Sequence, residues 1–299
     1  MNCGFWRRLA PVLLLAAMAP VAAQDGGWQP WVSVSPVYSG KADIDGGGDT
    51  NSWAVLVRGG LDRSFGAGHR VGVSLAYDYT DYSFDNPKAF GGVAPWGAVR
   101  RYGVSVPLSF NLGDGWMLGV VPSVDWIHET GADEGESMEY GALVSAMRVF
   151  ADGNRIGLGV GAYSRLEKTS FFPVILVDWK LSDRWRLVNP LPVGPTGGAG
   201  LELDYRFDNG WNLGFGAAYR SSRFRLSETG PVPDGIGEER GVPVFLRAST
   251  DLAKGVALRL YAGVLTGEEL RLESSSGDLL RKVDVDPSLL LGLTIIARH

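Results

Sequence analysis

From Trp28 onward the chain repeatedly alternates apolar residues with polar or small ones at period two. In the segment that starts at Val71, the residues Val71, Val73, Leu75, Tyr77 and Tyr79 share one parity, and Arg70, Gly72, Ser74, Ala76 and Asp78 share the other. The segment from Val256 repeats this, with Val256, Leu258, Leu260, Ala262 and Val264 set against Arg259, Tyr261 and Gly263. Successive side chains of a strand point to opposite faces, so each segment predicts a strand with one apolar face. Fourteen such strands can be read along the chain. A two-sheet sandwich would alternate in the same way, so the connections have to decide between architectures.

Six connections are tight polar turns. Three of them open the next strand on Trp: Leu112-Gly-Asp-Gly-Trp116, Leu181-Ser-Asp-Arg-Trp185 and Phe207-Asp-Asn-Gly-Trp211. Their siblings without Trp run from Phe65 to Arg70, Ala151 to Arg155 and Leu252 to Val256. Longer connections fall between them, around 40–50, 84–97, 130–138, 166–168, 189–198, 226–241 and 266–287. Short turns alternating with longer loops, and an even number of strands with both ends on the short-turn side, are the rhythm of an outer-membrane barrel. The aromatic residues agree. Trp116 and Trp126 share a parity ten residues apart, which at ~3.3 Å per residue and a tilt of about 40° spans roughly 25 Å, the height of the apolar band. Trp211 and Tyr219 form a similar pair, Trp185 opens its own strand, and Tyr77, Tyr79 and Tyr140 fall near the opposite strand ends, as interfacial girdles require. The expected fold is all-β: a single antiparallel transmembrane β-barrel of about fourteen strands, with short periplasmic turns and longer extracellular loops. The short strand from Trp185 to Asn189 runs into Pro190 and Pro192, which leaves twelve strands open.

The amino terminus changes the picture by adding a compartment. Arg7-Arg8 precede an apolar stretch from Leu9 to Ala19, and small residues follow at Val21-Ala22-Ala23. This predicts a cleaved export signal over 1–23 and a barrel domain over 24–299, placed in the cell outer membrane. Cys3, the one cysteine, leaves with the signal, so thiol chemistry and disulfides are absent from the mature chain. Removing Arg7 and Arg8 from 28 basic side chains leaves 26 against 33 acidic ones, a formal charge of −7. That balance excludes a nucleic-acid partner, which needs a basic stripe. No mature segment approaches eighteen consecutive apolar residues, the longest run being Phe171 to Val177, so a helical membrane protein is excluded as well.

Function has to be written on the inward parity. There the alternation places Arg58, Arg101, Arg165, Lys180, Arg206, Arg220, Arg247 and Arg259 together with Asp78, Asp125, Glu129, Asp178, Glu202 and Asp204. Opposed acidic and basic walls would form a constriction for small polar solutes. The same groups could instead pair across the lumen and close it, giving a structural or surface-interaction barrel. Small residues on that parity, such as Gly72, Ser74, Ser105 and Ser123, leave room, and a barrel of fourteen strands is wider than the eight that side chains alone can fill. The sequence therefore favours a narrow porin-like channel. A lipid-facing hydrolase ranks third: His128 is the one histidine placed to act as a base, on the outer parity with Trp126 and Thr130, without an orienting partner.

Among the connections, 226–240 and 266–287 are long enough to fold into the lumen. Their charges, including Glu238, Glu239, Glu268 and Glu273, are those of solvated external loops, which is the expected reading. The loop from Asn189 to Gly198 is rigid and polar-poor, a binding lip or a stiff turn. Asp43, Asp45 and Asp49 crowd three carboxylates into the first loop without the spacing of a calcium loop, so no metal and no cofactor is expected. The partners that follow are outer-membrane lipids and lipopolysaccharide, the barrel-assembly machinery and a small polar solute.

The block Asp178-Trp179-Lys180-Leu181-Ser182-Asp183-Arg184-Trp185-Arg186-Leu187, then Asn189-Pro190, Gly200 to Arg206, and Trp211 through Tyr219-Arg220 to Arg223-Phe224-Arg225-Leu226, resembles uncharacterised outer-membrane β-barrel proteins of Gram-negative bacteria grouped as a domain of unknown function. The likeness is strongest from Phe171 to Leu226. It implies the fold and the compartment and brings no catalytic residues. The ending Ile295-Ile296-Ala297-Arg298-His299 departs from the aromatic last residue that such barrels present to the assembly machinery.

Overall fold

The computed structural model describes residues 27–66 and 68–299; the expected export signal at 1–23 lies outside the described residues. The chain begins with three long strands, β1 (Gln29–Asp43), β2 (Asp49–Phe65) and β3 (His69–Asp85). Then come β4 (Ala98–Ser105), β5 (Leu108–Gly113), β6 (Trp116–Glu129), β7 (Met138–Val149), β8 (Arg155–Arg165) and β9 (Lys168–Lys180). Two short strands follow, β10 (Trp185–Val188) and β11 (Ala199–Arg206). The remainder is β12 (Asn212–Arg225), β13 (Ile236–Ala253), β14 (Val256–Glu273), β15 (Leu279–Val285) and β16 (Ser288–Arg298).

These sixteen segments make fourteen staves. β4 and β5 are one stave interrupted at Val106-Pro107, since both pair with β3 and β6. β15 and β16 are another, interrupted at Asp286-Pro287, since both pair with β14. Proline cannot donate to a ladder, which is why each break carries one. β1 pairs with β16, and β16 with β14, so the antiparallel sheet closes on itself. The fourteen expected strands are therefore present and the twelve-strand alternative falls. Among the described residues no helix is long and apolar enough to cross a membrane; the crossing belongs to the strands.

The tight turns need backbone that L-residues adopt poorly. In Leu112-Gly-Asp-Gly-Trp116 the three central residues all have positive φ, and a side chain on Gly115 would come within 2.4 Å of the Val149 carbonyl. Above these turns the outer face is apolar, with Leu75, Leu158, Phe171, Ile175, Phe215 and Leu246 exposed. A continuous belt of this kind is stable in lipid and not in water. Trp116, Trp185 and Trp211 ring the short-turn end. Tyr77, Tyr140 and Tyr219 are exposed higher up, Tyr79 packs on Trp53 with centroids 5.3 Å apart, and Trp126 is half-buried in register with Tyr102.

The long-loop end differs from the expectation. Segment 266–287 is largely strand, and 226–241 becomes strand from Ile236 on: β13 starts there, β14 runs to Glu273, and β15 returns along it. Glu238, Glu239, Glu268 and Glu273 are buried rather than solvated. On β14 the changeover is a bulge at Gly267, where one extra residue opposes the step from Val242 to Arg240 and φ is positive. The bulge reverses which parity faces in, so Leu270 and Leu272 point into the barrel although Leu260, Ala262 and Val264 point out.

Above the apolar belt the ring also narrows. Arg225 of β12 forms a parallel bridge with His128 of β6, two strands that are not neighbours in the wall below. Glu129 accepts from the backbone of Gly97 at 2.7 Å and of Ser227 at 2.9 Å, and Glu228 donates to the Gly131 carbonyl, stitching the same seam. The upper ring is thus β6, β4, β3, β2, β1, β15, β14, β13 and β12, nine staves, with β7 to β11 left below it. Its interior is an apolar core of Ile44, Trp96, Ile127, Phe224, Leu270, Leu272, Val283 and Val285. Trp96 meets Phe224 edge to face at 5.2 Å, carried there by the 84–97 connection and its 3-10 turn Lys88–Phe90.

Truncating Phe224, fully buried at the centre of this core, to Ala should cost about 3–5 kcal/mol. Urea titration of the barrel reconstituted in lipid, followed by Trp fluorescence, checks this; a cost below about 1 kcal/mol would mean the upper core does not hold the ring closed.

Candidate functional site

Below that core, inward side chains from six consecutive staves meet at one level because the register carries them round. Asp78 stands opposite Leu56 and Arg101, and Asp125 opposite Gly103 and Glu139. The result is a ladder of paired charge, which alternates from Arg58 to Asp125 and then sets the carboxylates of Asp125 and Glu139 side by side. Arg58 Nη2 donates to Asp78 Oδ2 at 2.7 Å, Arg101 Nη1 lies 3.5 Å from the same oxygen, and Arg101 Nε donates to Asp125 at 2.8 Å. Arg165 Nε closes it on Glu139 at 3.1 Å. On the facing wall Arg247 binds Glu202 at 2.6 Å and Asp204 at 2.7 Å, and Gly214 makes room for the Glu202 carboxylate. Arg259 lies opposite Thr294 in the β14 and β16 register. Arg220 donates to Glu239, which also accepts from Tyr82.

The remaining candidates lie away from this level. Asp178 is paired with Arg186 at 2.7 Å and Lys180 with Asp183 at 2.7 Å, and both line a cleft of about 710 Å³ at the short-turn end together with Asp204 and Arg206. Glu129 belongs to the seam described above. Sequence reasoning missed Glu139 and Glu239 because both fall at the margins of segments read as loops. Their parity with Gly141 and Gly241 was the available signal.

The loop 189–198 turns into the lumen, so the inward-folded connection is this one and neither of the two longer ones. Val193 O accepts from Ser35 Oγ of β1 at 3.0 Å, and Ser35 also bonds Thr294 of β16 at 2.7 Å. A side chain on Gly194 would meet the Tyr261 hydroxyl at 2.9 Å, and one on Gly292 would meet Pro195 at 2.8 Å. The loop therefore lies against β1, β14 and β16 on the far side of the barrel. It separates two cavities. One, of about 460 Å³, is lined by the ladder residues Arg58, Asp78, Arg101, Asp125, Glu139 and Arg165 and by Arg220 and Glu239. The other, of about 500 Å³, opens at the short-turn end among Trp31, Asp62, Arg70, Pro107 and His299. Pro192 lines both.

His128 does not stand on the outer surface as a lipid-facing base would. It is buried at the seam, its Nδ1 lies 3.0 Å from the Glu129 carbonyl, its Nε2 lies 3.8 Å from Glu134, and its ring stacks on Tyr102. In the first loop Asp49 is held by Lys41 at 2.9 Å, and among the described residues no group of three or more His, Asp or Glu is placed to hold a metal.

No known protein family matches the chain, and no curated protein matches it either. Among solved structures it is similar to the toluene transporter TodX of Pseudomonas putida, at 11% identity and a TM-score of 0.43 over 92% of this chain and 90% of that one. It is also similar to OprB of Pseudomonas putida, at 11% identity and a TM-score of 0.40 over 99% and 97%. The translocator domain of the autotransporter NalP from Neisseria meningitidis aligns at 12% identity and a TM-score of 0.36 over 97% and 93%. These values are too low for any property of those proteins to be transferred.

Glu268 forms part of the chamber roof, beyond the apolar belt. Burial first, then the Glu239 carboxylate, pushes its carboxyl up to about 8, against the opposing pull of the Arg220 guanidinium. Tyr82 faces the same group. The neutral acid therefore stabilises the roof fully below the ordinary value of 4.5, and this contribution is lost as pH rises through about 8. Glu268→Gln keeps the neutral shape. Its stability should match the parent near pH 5 and exceed it above pH 9, as read from the temperature at which the folded band disappears on gels; identical profiles would show that Glu268 is charged in the folded barrel.

Proposed function

We propose that the chain spans the outer membrane of a Gram-negative bacterium, with its short turns toward the periplasm, and forms a narrow channel for small solutes that carry polar groups. The observation that carries this reading is the pair of cavities, about 460 and 500 Å³, with one inward loop between them. Moving that loop would join them into one space open at the short-turn end, whereas a barrel built only as a scaffold has no need of space on both sides of a plug. The ladder supports the reading too: charges of both signs held at one level along the wall offer a polar solute hydrogen-bonding groups against which it can orient. Membership of the uncharacterised family that residues 171–226 resemble belongs to this reading, as do outer-membrane lipids, lipopolysaccharide and the assembly machinery as partners.

A second reading is favoured by one specific observation. The apolar core of the upper ring blocks the axis at the long-loop end, as it would in a sealed barrel whose lumen charges serve only to pair with one another. Conductance separates the two. Discrete steps in planar bilayers are expected, and they should grow several-fold when Leu191 to Thr196 are replaced by Gly and Ser. Arg101→Ala with Arg220→Ala leaves Asp125 and Glu239 without those partners, so the reversal potential should move toward cation selectivity. A silent barrel in both the parent and the loop variant would leave the sealed scaffold as the function.

A further inference from the structure

The geometry points to access from the side: we propose that the chamber opens through a gap in the barrel wall between β9 and β12, which admits small uncharged amphipathic molecules from the surrounding lipid. The proposal rests on the channel reading for what happens beyond the chamber, but the gap itself stands on strand pairing.

β9 is paired with β8 along nearly its whole length, yet with β10 only from Asp178 to Lys180. β10 ends at Val188, the chain turns into the lumen, and β11 begins at Ala199. β11 covers β12 only as far as Tyr219, whereas β12 continues to Arg225 against β13. Lys168–Val177 of β9 and Arg220–Phe224 of β12 thus border a stretch of wall in which, among the described residues, no strand pairs with either on that side, until Arg225 meets His128 of β6 above it. Asn189 forms the foot of the gap: it donates to the carbonyls of Val177, Ile175 and Gly200 and accepts from the Val177 amide. The turn after β8 forms its top, where the Leu166 carbonyl accepts from Arg223 at 2.9 and 3.1 Å and Lys168 reaches Glu238 at 3.0 Å.

Two further observations indicate that the gap is used. The chamber is lined by Tyr219 and Ser221 as well as by Arg220 and Ser222. These are opposite faces of one strand, so the cavity reaches its free edge. On β9, the backbone groups of Val177 and Ile175 point toward Asn189, and period two aims those of Pro173 the same way. The proline removes an amide donor from an edge that has no partner strand.

The rim defines the ligand. Phe171 is 72% exposed on the lipid side, followed by Pro173 and Ile175, and Tyr219 stands on the other jamb. Phe172 faces inward and stacks on Tyr163 at 5.7 Å, yet is still 39% exposed. Behind this apolar rim come Ser221 and Ser222 and the neutral pairs Arg220–Glu239 and Arg165–Glu139. An apolar body passes the rim and a hydrogen-bonding end meets the chamber; the paired charges ask for no counter-ion.

Cys3 is the only cysteine in the sequence and lies in the expected signal, so Ser222→Cys and Leu56→Cys each give one bimane label, beside the gap and on the fully paired opposite wall. Quenching is measured in phosphatidylcholine bilayers with three nitroxides: a phosphatidylcholine labelled on its acyl chain, free TEMPO benzoate, and water-soluble TEMPO-choline. The label at 222 should be quenched by the lipid-bound nitroxide and that at 56 by TEMPO benzoate alone, several-fold above TEMPO-choline. Ala199→Trp at the foot, or Ser221→Trp at the jamb should one of the two fail to fold, should abolish both effects. No quenching at 56 by TEMPO benzoate, equal quenching by TEMPO-choline, or indifference to both Trp variants would overturn the side route. Conductance on the same protein keeps the two readings apart: quenching in a silent barrel removes the channel and leaves the gap, and conductance without quenching does the reverse.

Discussion

The backbone hydrogen bond is the constraint on which this structure depends. A strand surrounded by lipid has no solvent to receive its amides and carbonyls, and each group left unpaired costs several kcal/mol. Closure of β1 onto β16 removes both sheet edges at once. Where the wall breaks between β9 and β11, Asn189 stands in for a missing strand, its side chain and main chain together taking up the groups of Val177, Ile175 and Gly200. Pro173 deletes a donor at the same edge. The break is thus prepared chemically rather than being a frayed end, and it is what allows β10 and β11 to be short and the loop between them to turn inward.

The same chain follows two opposite rules of polarity along the barrel axis. Within the belt, apolar side chains face out and charges face in; above it, Leu270, Leu272, Val283 and Val285 face in while Arg271 and Lys282 face out. The upper ring is a soluble β-structure built on a membrane one, and the bulge at Gly267 marks the changeover on β14. Burial of ions follows this division. Arg223, 1% exposed, binds Glu273 at 2.6 Å and Glu238 at 3.3 Å outside the belt, under the turn that ends β8. Losing one member of such a set leaves a buried charge and costs about 3–5 kcal/mol, far more than an exposed pair such as Lys180–Asp183 contributes.

Most of the barrel was legible from alternation and turn chemistry, because period two and the glycine-rich turns act locally. Fourteen staves and the belt follow from residues such as Val71 to Tyr79 and Leu112 to Trp116. What was not legible depends on contacts distant in sequence. Leu270 and Leu272 keep the parity of Leu260 and Ala262, and only the bulge turns them inward. The meeting of His128 with Arg225 follows from no local signal, so Glu129 read as a lumen residue when it is a seam. The rigid loop 189–198 was visible as prolines and glycines, but its direction was not, since Ser35 and Gly292, which receive it, look like ordinary small inward residues.

That loop, and not the wall, is the part of the path able to move. Displacing a stave would break a ladder of backbone bonds on both sides at once. Pro190, Pro192 and Pro195 have no amide to donate, and the turn bonds from Gly194 to Leu191 and from Gly197 to Gly194 can travel with the segment. The tie to the far wall is the Ser35 to Val193 bond, worth about 1 kcal/mol net, and Ser35 keeps Thr294 as a second partner when it breaks. Asn189 meanwhile holds the foot of the loop to β9 whichever way the rest lies. A plug tied weakly at its tip and firmly at its base can swing without breaking any strand ladder, so passage through the lumen would ask for movement of this segment alone.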